Sequence, residues 1–317
     1  MPIDTIFNSA TDAPAANSLE NVHCKFCGTS STEELYAASD ENHSVSDTEF
    51  SYVKCPACKC VYLPHPPENL GEYYKNDYYE IPSIEHLQKL ANKDHNKIAT
   101  IQRFCIGGDL LEIGPAFGVF AWQAKTSGFS VNVIEMDTRC CEFIRGTLGI
   151  HAVQSNDPAG AIQALPQHDV IAIWHVLEHL PMASHVLKAA AENLKPQGVL
   201  AIAMPNPDAW QFKVMGRHWP HLDAPRHLSL IPQEWLTTKA AELGLERVFI
   251  TFNDSDAKSW NRFGWQRILM NRFSSKWMKR VMFVLGYALS ILAIPFDRAD
   301  SRGSAYTIVF RKKIAPL

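Results

Sequence analysis

The feature that most limits the fold is a short strand that runs into a glycine turn and then a helix. Asp109-Leu-Leu-Glu-Ile113 is apolar and strand-like, and Gly114-Pro-Ala-Phe-Gly118 interrupts it. Helical spacing follows over 119–127, and Ser130-Val-Asn-Val-Ile-Glu135 reads as a second strand. Asp137 stands as an N-cap for a helix through Leu148. Further strands are predicted at 151–154, 169–174 and 198–203, with a helix over 182–194. Strands alternating with helices give βαβ units, hence a parallel sheet with right-handed crossovers. In such a sheet the ligand lies beyond the carboxyl ends of the strands, beside the first.

The turn narrows the ligand. A dinucleotide site needs G-x-G-x-x-G, with pyrophosphate facing the helix N-terminus. Here that spacing fails, and Glu112 stands just before the first glycine. A carboxylate there suits a cation and repels phosphate. Glu135, 21 residues after Gly114, is placed to take both ribose hydroxyls of a nucleoside.

Together these residues resemble the class I S-adenosylmethionine (SAM) dependent methyltransferases, over about residues 85–253 plus the last strand. Glu112-x-Gly114-x-Ala116-x-Gly118 is similar to their acidic first motif, with Ala116 at the middle glycine. Asp169-Val-Ile-Ala-Ile-Trp-His-Val-Leu-Glu-His179-Leu is similar to their fourth strand and its V-L-E-H-L signature. Leu194-Lys-Pro-Gln-Gly198 is similar to the turn before their fifth strand. The resemblance implies an α/β, Rossmann-like, seven-stranded sheet whose sixth and seventh strands, at 246–253 and 305–311, form an antiparallel edge. It also implies SAM as cofactor, held around Glu112, Gly114, Ala116, Gly118, Glu135 and His175. Phe117 and Trp174 either wall the adenine or methionine tail or belong to the core. Asn156 or Asp157 either bonds the adenine amino group or is plain polar loop.

Ahead of the sheet, Cys24-Lys-Phe-Cys27 and Cys55-Pro-Ala-Cys58 form two C-x-x-C knuckles. Each places two thiolates on one turn, and two turns supply the four sulfurs of a closed structural zinc site. Cys60 is an alternative to Cys58, which the x-x spacing favours. With no secretory signal at the N-terminus, the eight cysteines are read in a reducing, cytoplasmic setting. These knuckles, then Val61-Tyr-Leu-Pro, Tyr73-Tyr74 and Tyr78-Tyr79, resemble a methyltransferase branch found in sugar, polysaccharide and lipid-linked glycan pathways. They also resemble the deoxysugar C-methyltransferases, whose longer C-terminal domain has no counterpart here.

A hydroxyl acceptor requires a base within reach. His175 and His179 flank Glu178 after the fourth strand, and His221 and His227 lie in the loop after the fifth. His227 or His221 is the expected base, and His175 is expected to touch SAM or substrate. His175-x-x-Glu178-His179 resembles the E-x-x-E-H metal site of ubiquinone-type O-methyltransferases, but the first carboxylate is missing. That counts against a catalytic metal. His179 then reads as an orienting residue at a helix start.

Charge separates along the chain. The whole carries a net −3, yet residues 254–317 hold twelve Lys/Arg against four Asp/Glu, leaving −11 for 1–253. Trp265, Leu269, Phe273 and Trp277 fall on one i, i+4 row among basic residues, and Val281 to Phe296 carries no charge. Sixteen residues fall short of the roughly 20 that span a bilayer. Since the following strand must rejoin the sheet, 260–296 is expected to lie on a membrane surface, cap the fold or form a homodimer. No basic patch beside aromatics marks a nucleic-acid site.

The boundaries expected are a disordered tail at 1–20, a zinc-binding module at 21–66 and a linking helical segment at 67–108. A SAM-binding domain follows at 109–253, then a helical insertion at 254–303 and a final strand and tail at 304–317. The function expected is methyl transfer to a hydroxyl of a sugar, glycan or lipid-linked precursor, in the cytoplasm or peripherally on the inner membrane face. The rivals are C-methylation of a nucleotide-linked ketosugar and a non-catalytic, SAM-binding zinc interaction protein.

Overall fold

The computed structural model describes residues 23–30, 32–74, 80–93 and 95–314. Tyr78, Tyr79 and the expected tail at 1–20 lie outside them. The first three strands are β1 (Glu33–Ala38), β2 (Phe50–Lys54) and β3 (Val61–Tyr62). Two helices follow, α1 (Ile84–Lys93) and α2 (Asn96–Gln102). The alternating region then gives β4 (Gly108–Ile113), α3 (Val119–Thr126), β5 (Phe129–Glu135), α4 (Thr138–Phe143), β6 (His151–Gln154) and α5 (Pro158–Gln163). It continues as β7 (His168–Trp174), α6 (Ala183–Asn193) and β8 (Leu194–Pro205). After these come α7 (Trp210–Met215), β9 (Ser229–Leu230), α8 (Gln233–Glu242) and β10 (Leu245–Thr251). The chain closes with α9 (Ser255–Met270), α10 (Lys276–Leu292), α11 (Ile294–Asp297) and β11 (Ala305–Lys312).

Seven strands form one sheet in the order β10-β11-β8-β7-β4-β5-β6. The pairs from β8 through β6 are parallel, and β11 runs antiparallel to both β8 and β10. Successive residues feed opposite faces, as a period of two requires. Leu111, Ile113, Ile171, Ile173, Leu200 and Ile202 pack on one side. Leu110, Val170, Ala172, Val199 and Ala201 pack on the other. Because helices cover both faces, the strands read as continuous apolar runs.

One local expectation is refined and one is corrected. The helix capped by Asp137 does run to Leu148, but after Phe143 it widens into a π-helical turn over Ile144–Leu148, closed by Gly149 at φ +59°. The aromatic row through Trp265 and Trp277 is not one helix. Residues 271–275 break it, so α9 and α10 form a hairpin, with Trp265 buried and Trp277 67% exposed. Ser275 takes an extended backbone that starts α10 afresh. Gly286 lets the two helices close, because a Cβ there would meet the Gln266 Cα at 2.5 Å.

The N-terminal strands form a second, antiparallel sheet, β1-β2-β3-β9. Its last strand is lent by the long loop after β8. Arg226 on that loop is fully buried and bonds Asp40 and Asp223. Tyr52 on β2 donates to the His227 carbonyl at 2.8 Å. The cysteine-bearing segment is thereby fastened to the loop that carries the candidate base.

Candidate functional site

The carboxyl ends of β5, β4 and β7 lie side by side, followed by the turn at Gly114 and the segment after Trp174. Gly114, Ala116 and Gly118 all take positive φ, at +66°, +52° and +86°. A Cβ on Gly114 would stand 2.6 Å from a Val176 methyl, so only glycine lets this turn close against the segment after β7. Phe117 on the same turn is half-buried against the apolar cluster that includes Leu87 and Ala121.

Glu135 ends β5 and holds the turn from below. Its Oε2 accepts from the Ala116 amide at 3.0 Å, and Oε1 from Met136 and Asp137 at 2.7 and 2.9 Å. Burial pushes this carboxyl up, against the three amides that favour its charge. A carboxylate has about four lone-pair sites. Three are used by these amides, which leaves one open to the hydroxyl bonding expected of Glu135. Replacing Glu135 with Ala loosens the turn as well as that bond, and SAM affinity should fall by tenfold or more. An unchanged calorimetric affinity would sink this role.

Glu112 is buried beneath the turn with Oε2 unpartnered, and burial pushes its carboxyl up to about 8. The Lys97 ammonium pulls the other way. Lys97 also reaches Asp256 at 3.5 Å and lies 5.5 Å from the Trp174 ring. Trp174 packs edge-on against Phe120 and is only 6% exposed, which places it in the core. Asp157 caps α5 by accepting from the Gly160 amide, and its neighbour Asn156 is exposed.

Past β7 the chain turns through His175 at φ +55°, a strained conformation for a side-chain-bearing residue. Its ring stacks on Trp260 at 4.2 Å, and His221 stacks on Trp260 from the other side at 4.3 Å. The His221 Nε2 bonds the Trp260 carbonyl at 2.9 Å. Burial pushes His221 down to about 3. The ring is thereby buried and stacked, with Nε2 committed to the Trp260 carbonyl.

His227 fares differently. Its Nδ1 bonds the His221 carbonyl at 2.8 Å, which leaves Nε2 for chemistry. His179 is held through Nδ1 by Tyr74 and the Arg226 carbonyl, with burial pushing it down to about 4. Ligand atoms of Glu178, His179 and His227 all lie within 4.8 Å of one another. Glu178 is fully buried, and neither carboxylate oxygen has a hydrogen-bond partner. Burial pushes this carboxyl up, but the surrounding imidazoles outweigh it and hold it below the usual range. Sequence reasoning named Glu178 only as a neighbour of histidines. It missed Lys97, Asp256 and Trp260, which converge from α2 and α9 and have no motif of their own.

Elsewhere, Cys24, Cys27, Cys55 and Cys58 present four sulfurs within 4.8 Å. The Cys24–Cys58 and Cys27–Cys55 pairs are each 3.6 Å apart. This cluster is compatible with a zinc module, with Cys58 rather than Cys60 in the set.

A family model described as "Methyltransferase domain" matches residues 84–248, just over half of the chain. The chain belongs to this family and is a SAM-dependent methyltransferase of class I. Among solved structures it is similar to a SAM-dependent methyltransferase from Archaeoglobus fulgidus, at 19% identity and TM-score 0.48, covering 71% of this chain and 94% of that one. It is also similar to one from Thermotoga maritima, at 15% identity and TM-score 0.46, covering 77% and 99%. The CcbJ methyltransferase from Streptomyces caelestis matches at 13% identity and TM-score 0.46, covering 69% and 89%. No curated protein matches the chain.

Proposed function

We propose that this methyltransferase moves the methyl group of SAM to a hydroxyl of a sugar, glycan or lipid-linked precursor, with His227 as base. The observation that carries the reading is the fully buried Glu178 carboxylate, without a hydrogen bond and with the His175 Nδ1 at 3.7 Å, close to His227. SAM supplies a methyl group already activated on a sulfonium. What the protein must add is alignment and removal of the acceptor proton. His227 takes that proton on Nε2, and Glu178 stabilises the resulting imidazolium in a site that excludes water. The closed turn at Gly114, Ala116 and Gly118, the remaining acceptor site on Glu135 and the buried Glu112 fit an amino-acid-plus-nucleoside cation. Phe117, Asn156 and the stacked His175 are the further residues this reading assigns to SAM or the acceptor.

The four cysteines hold structural Zn²⁺, which fixes the N-terminal sheet and through β9 the catalytic loop. Cys24→Ser should lower bound zinc to near zero and destabilise that sheet. Full zinc retention in the variant would refute the ligand set. The acceptor reading is tested with methyl-labelled SAM against glycan hydroxyls and a nucleotide-linked ketosugar. A labelled ether on the glycan is expected, and a new carbon–carbon bond on the ketosugar would overturn it.

A further inference from the structure

The hairpin of α9 and α10 presents a largely exposed apolar face, on which the Arg262 guanidinium lies 5.4 Å from the Tyr287 ring. On α10, Trp277, Phe283, Val284, Tyr287, Ile291 and Leu292 are 45–73% exposed. At 100° per residue they share one broad outward arc, whereas Gly286 and Ser290 on the opposite side are buried against α9. The first turn of the same helix carries Lys276, Lys279 and Arg280, all exposed. Charge and apolar surface are therefore divided along the helix, basic at the start and greasy beyond. No helix of the described residues is long and apolar enough to cross a membrane. Both ends of the hairpin also return to one sheet, through β10 and β11.

We propose that this face docks on an anionic lipid surface, lying in the interface without crossing it. The lysines and arginine meet lipid phosphates while the aromatic and aliphatic side chains enter the acyl boundary. Charge decides against a second hairpin as the occupant. Residues 255–297 hold seven Lys/Arg and only two carboxylates. Asp256 is already near Lys97 and His175, and Asp297 is buried, bonded to Trp265 and Gln211. Neither is free to meet the exposed cations of a second hairpin.

The docking face also connects to the reaction site. Trp260, held between His175 and His221, belongs to α9, the helix on which α10 rests. On the hydroxyl-acceptor reading above, the acceptor is then presented from the bilayer by a lipid anchor. Binding itself does not rest on that reading.

Sedimentation of the full chain with phosphatidylcholine vesicles, with and without phosphatidylglycerol, tests the proposal without any methyl transfer. Binding is expected to the anionic vesicles and to weaken as salt rises. A Lys276→Gln, Lys279→Gln double variant should bind about tenfold more weakly. The Val284→Asp, Ile291→Asp double variant should not bind, and both positions point away from α9, so the thermal midpoint should hold. Equal binding by wild type and both variants, or none by wild type, would overturn the proposal. A dimer dispersed by Val284→Asp, Ile291→Asp, without vesicle binding, would assign the face to a second copy and overturn it equally. Ether formation on a soluble glycan is read separately, so the two failures stay distinguishable.

Discussion

His227→Ala is expected to lower kcat by about 10²–10⁴-fold while leaving SAM affinity nearly unchanged. The imidazole is buried and oriented through Nδ1 by the His221 carbonyl, so its Nε2 is presented in one tautomer. Removal deletes the proton acceptor without touching the turn at Gly114. Glu178→Gln should cost less, because the base remains while the charge that stabilises its protonated form is lost. Single-turnover rates and calorimetric SAM affinities, measured on both variants, check this. His221→Gln supplies the contrast, since that ring is clamped to the Trp260 carbonyl and stacked on its indole. A rate loss at His221 that matched the loss at His227 would remove the distinction between them.

The second large effect is on stability. Arg226→Met should destabilise the protein by about 3–5 kcal/mol, because it strands two buried carboxylates. Arg226 is fully buried, as is the Asp40 side chain, and Asp223 is nearly so. Burial pushes both carboxyls up, and the guanidinium more than reverses this, holding both below the usual carboxylate range. A carboxyl with a depressed folded pKa contributes stability above its unfolded value of about 4, and that contribution fades as pH falls further. Urea midpoints of the wild type should therefore drop below about pH 4. In Arg226→Met that acid-side drop should shrink. A variant as stable as wild type at pH 7 would show that the loop and the N-terminal sheet are not fastened by this network.

The central sheet was readable because its signals are local. β4 to β8 begin and end within a few residues of where alternation and glycines place them, and Glu135 stands where the spacing from Gly114 put it. The glycine positions were readable for the same reason, since a turn's φ values depend on neighbours in sequence. The candidate cluster was only half readable. His221 and His227 look alike in sequence, and only tertiary contact separates a ring stacked on Trp260 from one beside the Glu178 carboxylate. Lys97, Asp256 and Trp260 sit on three turns of ordinary helix, and their convergence depends on how α2 and α9 dock. The break at 271–275 was hidden because no proline marks it and the i, i+4 row of aromatics continues through it. What decides there is the pairing of α9 with α10, closed over Gly286.

The position of β11 has a consequence for how the molecule is made. This strand sits inside the sheet, between β8 and β10, yet it follows the hairpin in the chain. During synthesis β8 and β10 must wait with bare edges until residues 305–312 have left the ribosome. The greasy hairpin emerges earlier, and unpaired edges with exposed apolar surface favour aggregation at that stage. Pairing of residues 305–312 then closes the sheet last and covers the edges of β8 and β10 in a single step.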